Sequence, residues 1–269
     1  METPFTVGCV PFVNARPLVS WFESLGEGSP VRVIYELPSR LPRLLDEQVA
    51  DAVLVSSYDA LRTEGRTIAD GVCIGSDGPA ESVRLFSKVP FGSISSLAFD
   101  QSSLTSNALA LGVLRETYGA DPVAENCAPD LEAMLERHDA CVLIGDIGMV
   151  AEAEGLEMID LGQAWQDMIG LPFVWAAWVG RDDLSPRLVE LLNEASDWGQ
   201  QNIGQVVIEA AARSGWSQET TDRYLRKTMR YALDDPAKAG LNTFALLLER
   251  NKVLARAHRP RIVTPAIAG

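Results

Sequence analysis

The chain has 269 residues, of which 47% are hydrophobic and 7% aromatic, and its formal net charge is −14. This length allows two modest lobes or one large domain around a sizeable core. The negative charge argues against nucleic acid and an anionic membrane surface as partners, and no apolar run approaches the ~20 residues that cross a bilayer.

The first third of the chain alternates predicted strands with predicted helices. We expect strands at 6–13, 31–37, 51–57, 71–78 and 82–88, and helices at 41–48 and 58–65. Gly65 closes the second of these helices. This β–α–β rhythm predicts a mostly parallel sheet with helices on both faces.

The middle of the chain repeats this alternation. An extended stretch at 91–100 leads into a predicted helix at 102–119, for which Thr105, Ser106 and Asn107 are candidate caps. Strands are expected at 139–146 and 156–162 with a helix at 147–155 between them, and 171–180 is extended and aromatic.

The remainder is predicted to be helical. Ser185 and Asp235 are each interpreted as an N-cap that is followed by proline at the first helical position. The last helix is expected to end near Arg256. These C-terminal helices could form a homodimer or pack on the first lobe, and the sequence leaves both open.

This order of elements predicts an α/β fold of two lobes, each a sheet flanked by helices. Residues 1–91 and 176–269 form the first lobe and 92–175 the second, with hinge strands near 91–100 and 171–180. A ligand cleft is expected between the lobes, at the carboxyl ends of the strands.

The cysteines and histidines argue against several kinds of site. The four cysteines are scattered without a Cys-x-x-Cys pair, at Cys9, Cys73, Cys127 and Cys141. We therefore expect neither a disulfide framework nor a metal site. Both histidines, His138 and His258, lie in charged contexts and are expected to be exposed. The first ten residues carry no basic residue, so we expect no signal peptide and a cytoplasmic location.

The first candidate site follows the first predicted strand. Asn14 and Arg16 break this strand, and Pro17 is suited to open a helix. A neutral donor and a fixed cation beside unpaired backbone N–H groups suit an anionic ligand. An ordinary strand-to-helix turn with a solvated arginine explains the same residues equally well.

Three further strand-to-helix turns carry polar residues that could converge with Asn14 on one cleft. They are Ser56-Ser57-Tyr58, Thr105-Ser106-Asn107 and Gly145-Asp146. Each could be plain helix capping, and Asp146 is either a cap or a polar group near a reacting atom. Ser82 and Arg84 share one face of their predicted strand, which is either the cleft or the solvent face.

Six segments in this order carry a resemblance to a known family. They are PFVNARPL, DAVLVSSYDAL, IGSDGPAESVRLFSK, DQSSLTSNAL, LIGD and DLGQAWQDMIGLPFVWAAW. Together they resemble the chorismate dehydratases of the menaquinone biosynthesis family, which serve the futalosine route. The resemblance covers about residues 5–180 well and the C-terminus loosely. The family often has Tyr-Leu-Asn where this chain has Phe12-Val13-Asn14, and Asn14 is retained.

The resemblance implies a type II periplasmic-binding-protein fold used as a cytoplasmic lyase without cofactor. The implied reaction removes water from chorismate to give 3-((1-carboxyvinyl)oxy)benzoate. In this hypothesis the substrate's enolpyruvyl carboxylate takes the proton, and Asn14 donates a hydrogen bond where negative charge develops. The residues expected to bind substrate are Arg16, Ser56, Ser57, Ser82, Arg84, Thr105, Ser106, Asn107 and Asp146. Among them Arg16 or Arg84 supplies counter-charge, and Asp146 is the rival base.

Two alternatives stand beside this hypothesis. The sibling 1,4-dihydroxy-6-naphthoate synthase resembles the chain less, because its Ser-Pro-Cys-Pro-Asn-Asp opening and catalytic histidine have no counterpart here. A non-catalytic binder of small anionic solutes would share the fold. Such binders usually carry a leader, a lipid anchor or a DNA-binding helix pair, and we see none of these in the sequence.

Overall fold

The computed structural model describes residues 3–152 and 154–266. The strands in this part of the chain are β1 Phe5–Cys9, β2 Val31–Tyr35, β3 Ala52–Ser56, β4 Thr67–Ser76, β5 Val83–Ser87, β6 Ser96–Asp100, β7 Val123–Cys127, β8 Ala140–Ile144, β9 Glu157–Asp160, β10 Phe173–Gly180, β11 Arg230–Leu233 and β12 Arg261–Val263. All the strands expected from the sequence are present, together with β7, β11 and β12, which were not expected.

The α-helices are α1 Ser20–Ser24, α2 Leu41–Asp46, α3 Ser57–Arg62, α4 Leu104–Val113, α5 Leu131–Arg137, α6 Gly145–Val150, α7 Leu161–Ile169, α8 Pro186–Gln201, α9 Ile203–Ser214, α10 Gln218–Arg223 and α11 Asp235–Arg250. Short 3₁₀ helices span Val13–Leu18, Gly26–Gly28 and Phe91–Ser93, and π-helical turns span Leu114–Tyr118 and Tyr224–Thr228. None of the helices in the described residues is long and apolar enough to span a bilayer.

Three helix starts differ from the sequence-based expectation. Pro17 lies inside a 3₁₀ helix rather than at the start of an α-helix. Ser103, not Thr105, caps α4, since its side chain accepts from the N–H of Ser106. The N-cap of α11 is Asp234, one residue earlier than the expected Asp235. The carboxylate of Asp234 accepts a hydrogen bond from the N–H of Ala237.

The strands form two sheets, one in each lobe. The first sheet has the order β11-β4-β10-β3-β1-β2, with β12 also pairing with β4, and the second has the order β7-β6-β8-β5-β9. In the first sheet β1 runs parallel to β2 and β3, but β10 is antiparallel to both β3 and β4. The expectation of a mostly parallel sheet is therefore wrong. The chain returns from the second lobe in the opposite direction, and β10 lies between β3 and β4, which precede it in the sequence.

The first crossing between the lobes lies earlier in the chain than the predicted hinge, and the second overlaps the start of the hinge predicted at 171–180. Strand β5 pairs with β8 and β9 in the second sheet, so the first crossing occupies residues 77–82, not 91–100. Residues 91–100 instead contain β6, a strand of that second sheet. The chain returns before Phe173, where β10 begins. The apolar pattern of β5 predicts a buried strand but does not determine which sheet it joins.

An aromatic cluster packs at the return crossing. Phe173 on β10 lies 5.0 Å from both Trp165 on α7 and Phe244 on α11, between ring centroids, and all three side chains are fully buried. The indole N–H of Trp165 donates to the carbonyl of Leu171 in the crossing segment, at 2.8 Å. These contacts join elements of both lobes and hold one wall of the cleft between them in place.

Candidate active site

A cavity of about 310 Å³ lies between the lobes. Residues from all four polar turns that the sequence singled out line it: Asn14, Ser56, Thr105, Ser106, Gly145 and Asp146. The first crossing contributes Ala80 and Ser82, and the start of β5 contributes Val83. The four turns therefore converge on one cleft, as expected from the sequence. Several side chains within these turns nevertheless face away from the cavity.

Asn14 lies in the cavity wall, and only one N–H of its side-chain amide has a hydrogen-bond partner among the described residues. It belongs to the 3₁₀ helix Val13–Leu18, which begins four residues after the end of β1 at Cys9. Its Nδ2 donates to the phenol oxygen of Tyr224 at 3.4 Å. Its Oδ1 is buried and accepts no hydrogen bond from any described residue. An unpaired buried carbonyl costs about 1–3 kcal/mol, which a ligand with a suitable donor would recover.

The two serines in the turn between β3 and α3 face different parts of the protein. Ser56 lines the cavity and caps α3, accepting from the N–H of Asp59 at 3.2 Å. Ser57 is fully buried and donates to the carbonyl of Val174 at 2.5 Å, so its hydroxyl faces β10 rather than the cavity. The expectation that Ser57 faces the cleft is wrong, because the peptide after the cap turns this side chain toward the sheet.

The start of α4 forms the opposite wall. Thr105 and Ser106 both line the cavity and are nearly buried. The Oγ1 of Thr105 accepts from the N–H of Tyr58 at 2.9 Å, which joins the first turn of α3 to that of α4 across the cleft. Asn107 does not border the cavity, since its Nδ2 donates to the carbonyl of Asp100 behind the helix start. Asn107 is thus a support for this wall and not part of it.

The two arginines expected to face the ligand are engaged elsewhere. Arg16 is 4% exposed, and its guanidinium donates to both carboxylate oxygens of Glu23 and to the phenol of Tyr35 at 2.6 Å. Arg84 donates to the carbonyls of Met149 and Ala151 at the end of α6, where the helix dipole favours a cation. Neither arginine lines the cleft cavity, so both expectations are wrong.

Arg62 is the cation that the sequence interpretation missed. Among the described residues it alone of the lysines and arginines lines the cavity. It is anchored at the end of α3 by an ion pair with Asp59, with its Nε 2.8 Å from Oδ1, and it lies 5.9 Å above the ring centroid of Tyr58. Its context, Ala60-Leu61-Arg62, is an ordinary helix end, and nothing in that pattern marks it as a cleft residue.

Asp146 is an exposed acidic residue that lines the cavity. Partial desolvation raises its pKa above the usual aspartate value, which favours proton acceptance relative to a fully solvated carboxylate. The histidines are placed differently from the expectation. His138 is buried at the end of α5, with Nδ1 3.1 Å from the carbonyl of Met134, and His258 is half-buried. Neither lines the cavity.

Aromatic side chains close the cavity on the first-lobe side. Trp175, Trp216 and Tyr224 all line it, and Trp175 donates its indole N–H to Ser76 at 3.1 Å. Tyr224 is buried, and its phenol oxygen lies 2.8 Å from Oγ of Ser82. The sequence interpretation missed Tyr224, whose segment shows only the amphipathic spacing of a packed helix, and Trp216, which lies in the loop between α9 and α10.

The first crossing is held in place by one carboxylate. Asp160 accepts from the N–H groups of Ala80 and Glu81 at 2.9 and 2.7 Å, and it also caps α7 through Gly162 and Gln163. Glu81 has a φ of 58°, in the left-handed region that L residues rarely adopt. Asp160 thereby fixes the backbone that presents Ala80 and Ser82 to the cavity.

We expect Asp160→Ala to lower the free energy of unfolding by about 3 kcal/mol, because the cap is lost and buried N–H groups become unpaired. Urea denaturation measures this. The control is Asp130→Ala, which removes the cap of α5 but only one N–H acceptor contact, to Ala133, and should cost about 1 kcal/mol. Equal losses for the two variants would contradict the clamping role of Asp160.

Within the described residues, no group of three or more His, Cys, Asp or Glu side chains is arranged to hold a metal ion. The polar groups that line the cavity include hydroxyls, the amides of Asn14 and Gln101, the guanidinium of Arg62 and the carboxylates of Asp59 and Asp146, together with the first turns of α3 and α4. First-turn N–H groups and a helix N-terminus favour anionic groups. The arrangement can therefore bind a small anion and support proton transfer.

Comparisons with known proteins agree with this description. Residues 5–250 match the family model described as menaquinone biosynthesis. The chain is 30% identical over 262 residues to chorismate dehydratase of Thermus thermophilus, covering 90% of this chain and 94% of that protein.

Solved structures give the fold. Protein AF1704 of Archaeoglobus fulgidus superposes with a TM-score of 0.72 at 17% identity, over 93% of this chain and 98% of that one. The periplasmic aliphatic sulphonate binding protein SsuA of Escherichia coli superposes with a TM-score of 0.67 at 14% identity, over 100% and 96%. These matches confirm the predicted two-lobe, type II periplasmic-binding-protein-like fold. The family match over residues 5–250, together with the Thermus relative, establishes that the chain belongs to the menaquinone biosynthesis family.

Proposed function

We propose that this protein is a chorismate dehydratase, a carbon–oxygen lyase that converts chorismate to 3-((1-carboxyvinyl)oxy)benzoate. The identity to the Thermus enzyme over nearly the whole chain supports this reaction. The structural observation that carries it is Asn14, which lies in the cavity wall with an unpaired Oδ1 and a second N–H left over from its bond to Tyr224. The four cysteines are unpaired thiols, which suits the cytoplasmic location that we propose.

The reaction needs few catalytic groups. A ring proton leaves the carbon that bears the enolpyruvyl ether, and hydroxide leaves the neighbouring carbon with its bonding electrons. The ring becomes aromatic, and this gain drives the elimination. The protein has to hold the substrate so that its own enolpyruvyl carboxylate reaches the ring proton, and to stabilise the charge that develops.

We assign these tasks to residues of the cavity. Asn14 donates its remaining N–H where negative charge develops. Ser56, Thr105 and Ser106, with the first turns of α3 and α4, bind the substrate carboxylates, and Arg62 supplies the counter-charge. Arg62 takes the place that we expected for Arg16 or Arg84, because it is the arginine or lysine that borders the cavity within the described part of the chain.

Asp146 is the rival base in this scheme. Its raised pKa brings proton acceptance closer to neutral pH than for an ordinary aspartate. Asp146→Asn separates the two possibilities. A rate close to that of the wild type leaves the substrate carboxylate as the base, whereas a loss of about a thousandfold in kcat would assign the base to Asp146.

The proposal is tested by incubating the purified protein with chorismate and following the products by liquid chromatography and mass spectrometry. We expect an aromatic product that is lighter than chorismate by one water, formed in proportion to protein concentration. If chorismate stabilises the protein in a thermal-shift assay but is not consumed, the protein is a solute binder. If chorismate neither binds nor reacts, a cyclic futalosine derivative becomes the next substrate to test.

A further inference from the structure

Tyr224 is a buried cleft residue from a distant part of the chain. It is the first residue of the π-helical turn Tyr224–Thr228, and such turns are rare and often occur at functional sites. Its ring packs edge-on against Trp216, with the centroids 5.4 Å apart. Its phenol oxygen contacts Asn14 and Ser82, which lie 210 and 142 positions earlier in the sequence.

The hydrogen bonds around this phenol run in one direction. Nδ2 of Asn14 carries only donors, so the oxygen of Tyr224 accepts from it. The single phenolic hydrogen is then directed to Oγ of Ser82 at 2.8 Å. The hydroxyl of Ser82 in turn donates to the carbonyl of Ala80 at 3.3 Å. The chain of donors therefore starts at Asn14 and ends on the backbone of the first crossing.

The amide of Asn14 needs such an anchor. The terminal torsion of asparagine is broad and roughly two-fold, so an unanchored amide can exchange the positions of its nitrogen and oxygen. Among the described residues, the Asn14 amide makes its hydrogen bond to Tyr224 through Nδ2, and its Oδ1 has no hydrogen-bond partner. The phenol of Tyr224 is protonated at neutral pH, as for an ordinary tyrosine, and burial raises its pKa further, to about 12.

We propose that Tyr224 is a positioning residue that fixes the orientation of the Asn14 amide, so that one N–H and Oδ1 are presented to the substrate. The kinetic consequence of this inference rests on the proposed dehydration of chorismate. The orientation itself does not depend on which substrate the cavity takes.

The kinetic test compares two tyrosine variants. We expect Tyr224→Phe to lower kcat about tenfold while KM stays within about twofold, because substrate still binds but meets a disordered amide. The matched control is Tyr231→Phe: Tyr231 is also buried, lies outside the cavity lining, and its hydroxyl has no partner among the described residues. It should leave both constants unchanged.

A double variant shows whether Tyr224 acts through Asn14. In an Asn14→Ala background, Tyr224→Phe should have no further effect on kcat. A full tenfold loss in that background, or an unchanged kcat for Tyr224→Phe alone, would overturn the inference.

A measurement without substrate keeps this inference separate from the proposed function. The side-chain amide signals of Asn14 in a ¹⁵N–¹H spectrum, assigned with Asn14→Ala, should shift in Tyr224→Phe and stay in place in Tyr231→Phe. Unmoved signals in Tyr224→Phe would refute the positioning role even if the rate falls. If the wild type does not turn over chorismate, the proposed function fails, and these signals alone decide the role of Tyr224.

Discussion

The substitution Asn14→Asp is expected to reduce kcat for chorismate by about 10²- to 10³-fold while leaving the fold intact. The variant replaces an N–H donor by a carboxylate of almost the same shape. A donor directed at developing negative charge contributes about this much to a rate. The new carboxylate also repels a substrate that already carries two, so the effect on the reaction exceeds that of a lost hydrogen bond.

Steady-state kinetics measure the rate, and circular dichroism with urea denaturation measures the fold. The matched control is Asn202→Asp, which makes the same chemical change at the end of α8, where the side chain donates to the carbonyl of Trp198 outside the cavity. We expect this control to keep the wild-type kcat. Near-normal turnover by Asn14→Asp would remove Asn14 from the mechanism.

The second large effect is expected on stability, from a substitution at the contact between α8 and the 3₁₀ helix that carries Asn14. Gly199 on α8 packs directly on the carbonyl of Pro17, in the 3₁₀ helix that carries Asn14. A Cβ at position 199 would overlap that backbone oxygen, so either helix must move. We expect Gly199→Ala to lower the free energy of unfolding by about 3 kcal/mol, the upper range for overpacking, and to lower kcat because Asn14 moves with its helix.

Gly204 on the neighbouring α9 is the control for this substitution. A Cβ there meets only the end of the Arg226 side chain, at 3.8 Å. Gly204→Ala should leave the free energy of unfolding unchanged or raise it by up to about 1 kcal/mol through helix propensity. Thermal and urea unfolding of both variants give the comparison. If Gly199→Ala were as stable as Gly204→Ala, the close packing of α8 on the 3₁₀ helix would make no contribution to the free energy of unfolding.

The sequence predicted the strands and the two-lobe architecture better than the places where the chain crosses between the lobes. Buried runs such as those of β3 and β8 are apolar and bounded by turn residues, so the strands could be predicted directly. Strand β7 could not, because Val123 and the next three residues are exposed and show no apolar alternation. The position of the first crossing depends on which strands β5 pairs with, and that is a tertiary property absent from its own residues.

For the site, the position of a turn was predictable and the direction of its side chains was not. Helix starts after buried strands identified Asn14, Ser56 and Thr105 as neighbours of one cavity. Whether a polar side chain faces the cavity depends on competing partners elsewhere: Glu23 and Tyr35 engage Arg16, and the carbonyl of Val174 engages Ser57. Arg62 and Tyr224 reach the cavity from helices whose local pattern indicates only packing.

The most direct test of the proposed dehydration is the proton NMR spectrum of the product that the wild-type protein forms from chorismate. Dehydration predicts a meta-substituted aromatic ring that keeps the vinyl protons of the enolpyruvyl ether. Free pyruvate with a para-substituted ring, or a spectrum that shows chorismate unchanged beside folded protein, would contradict it.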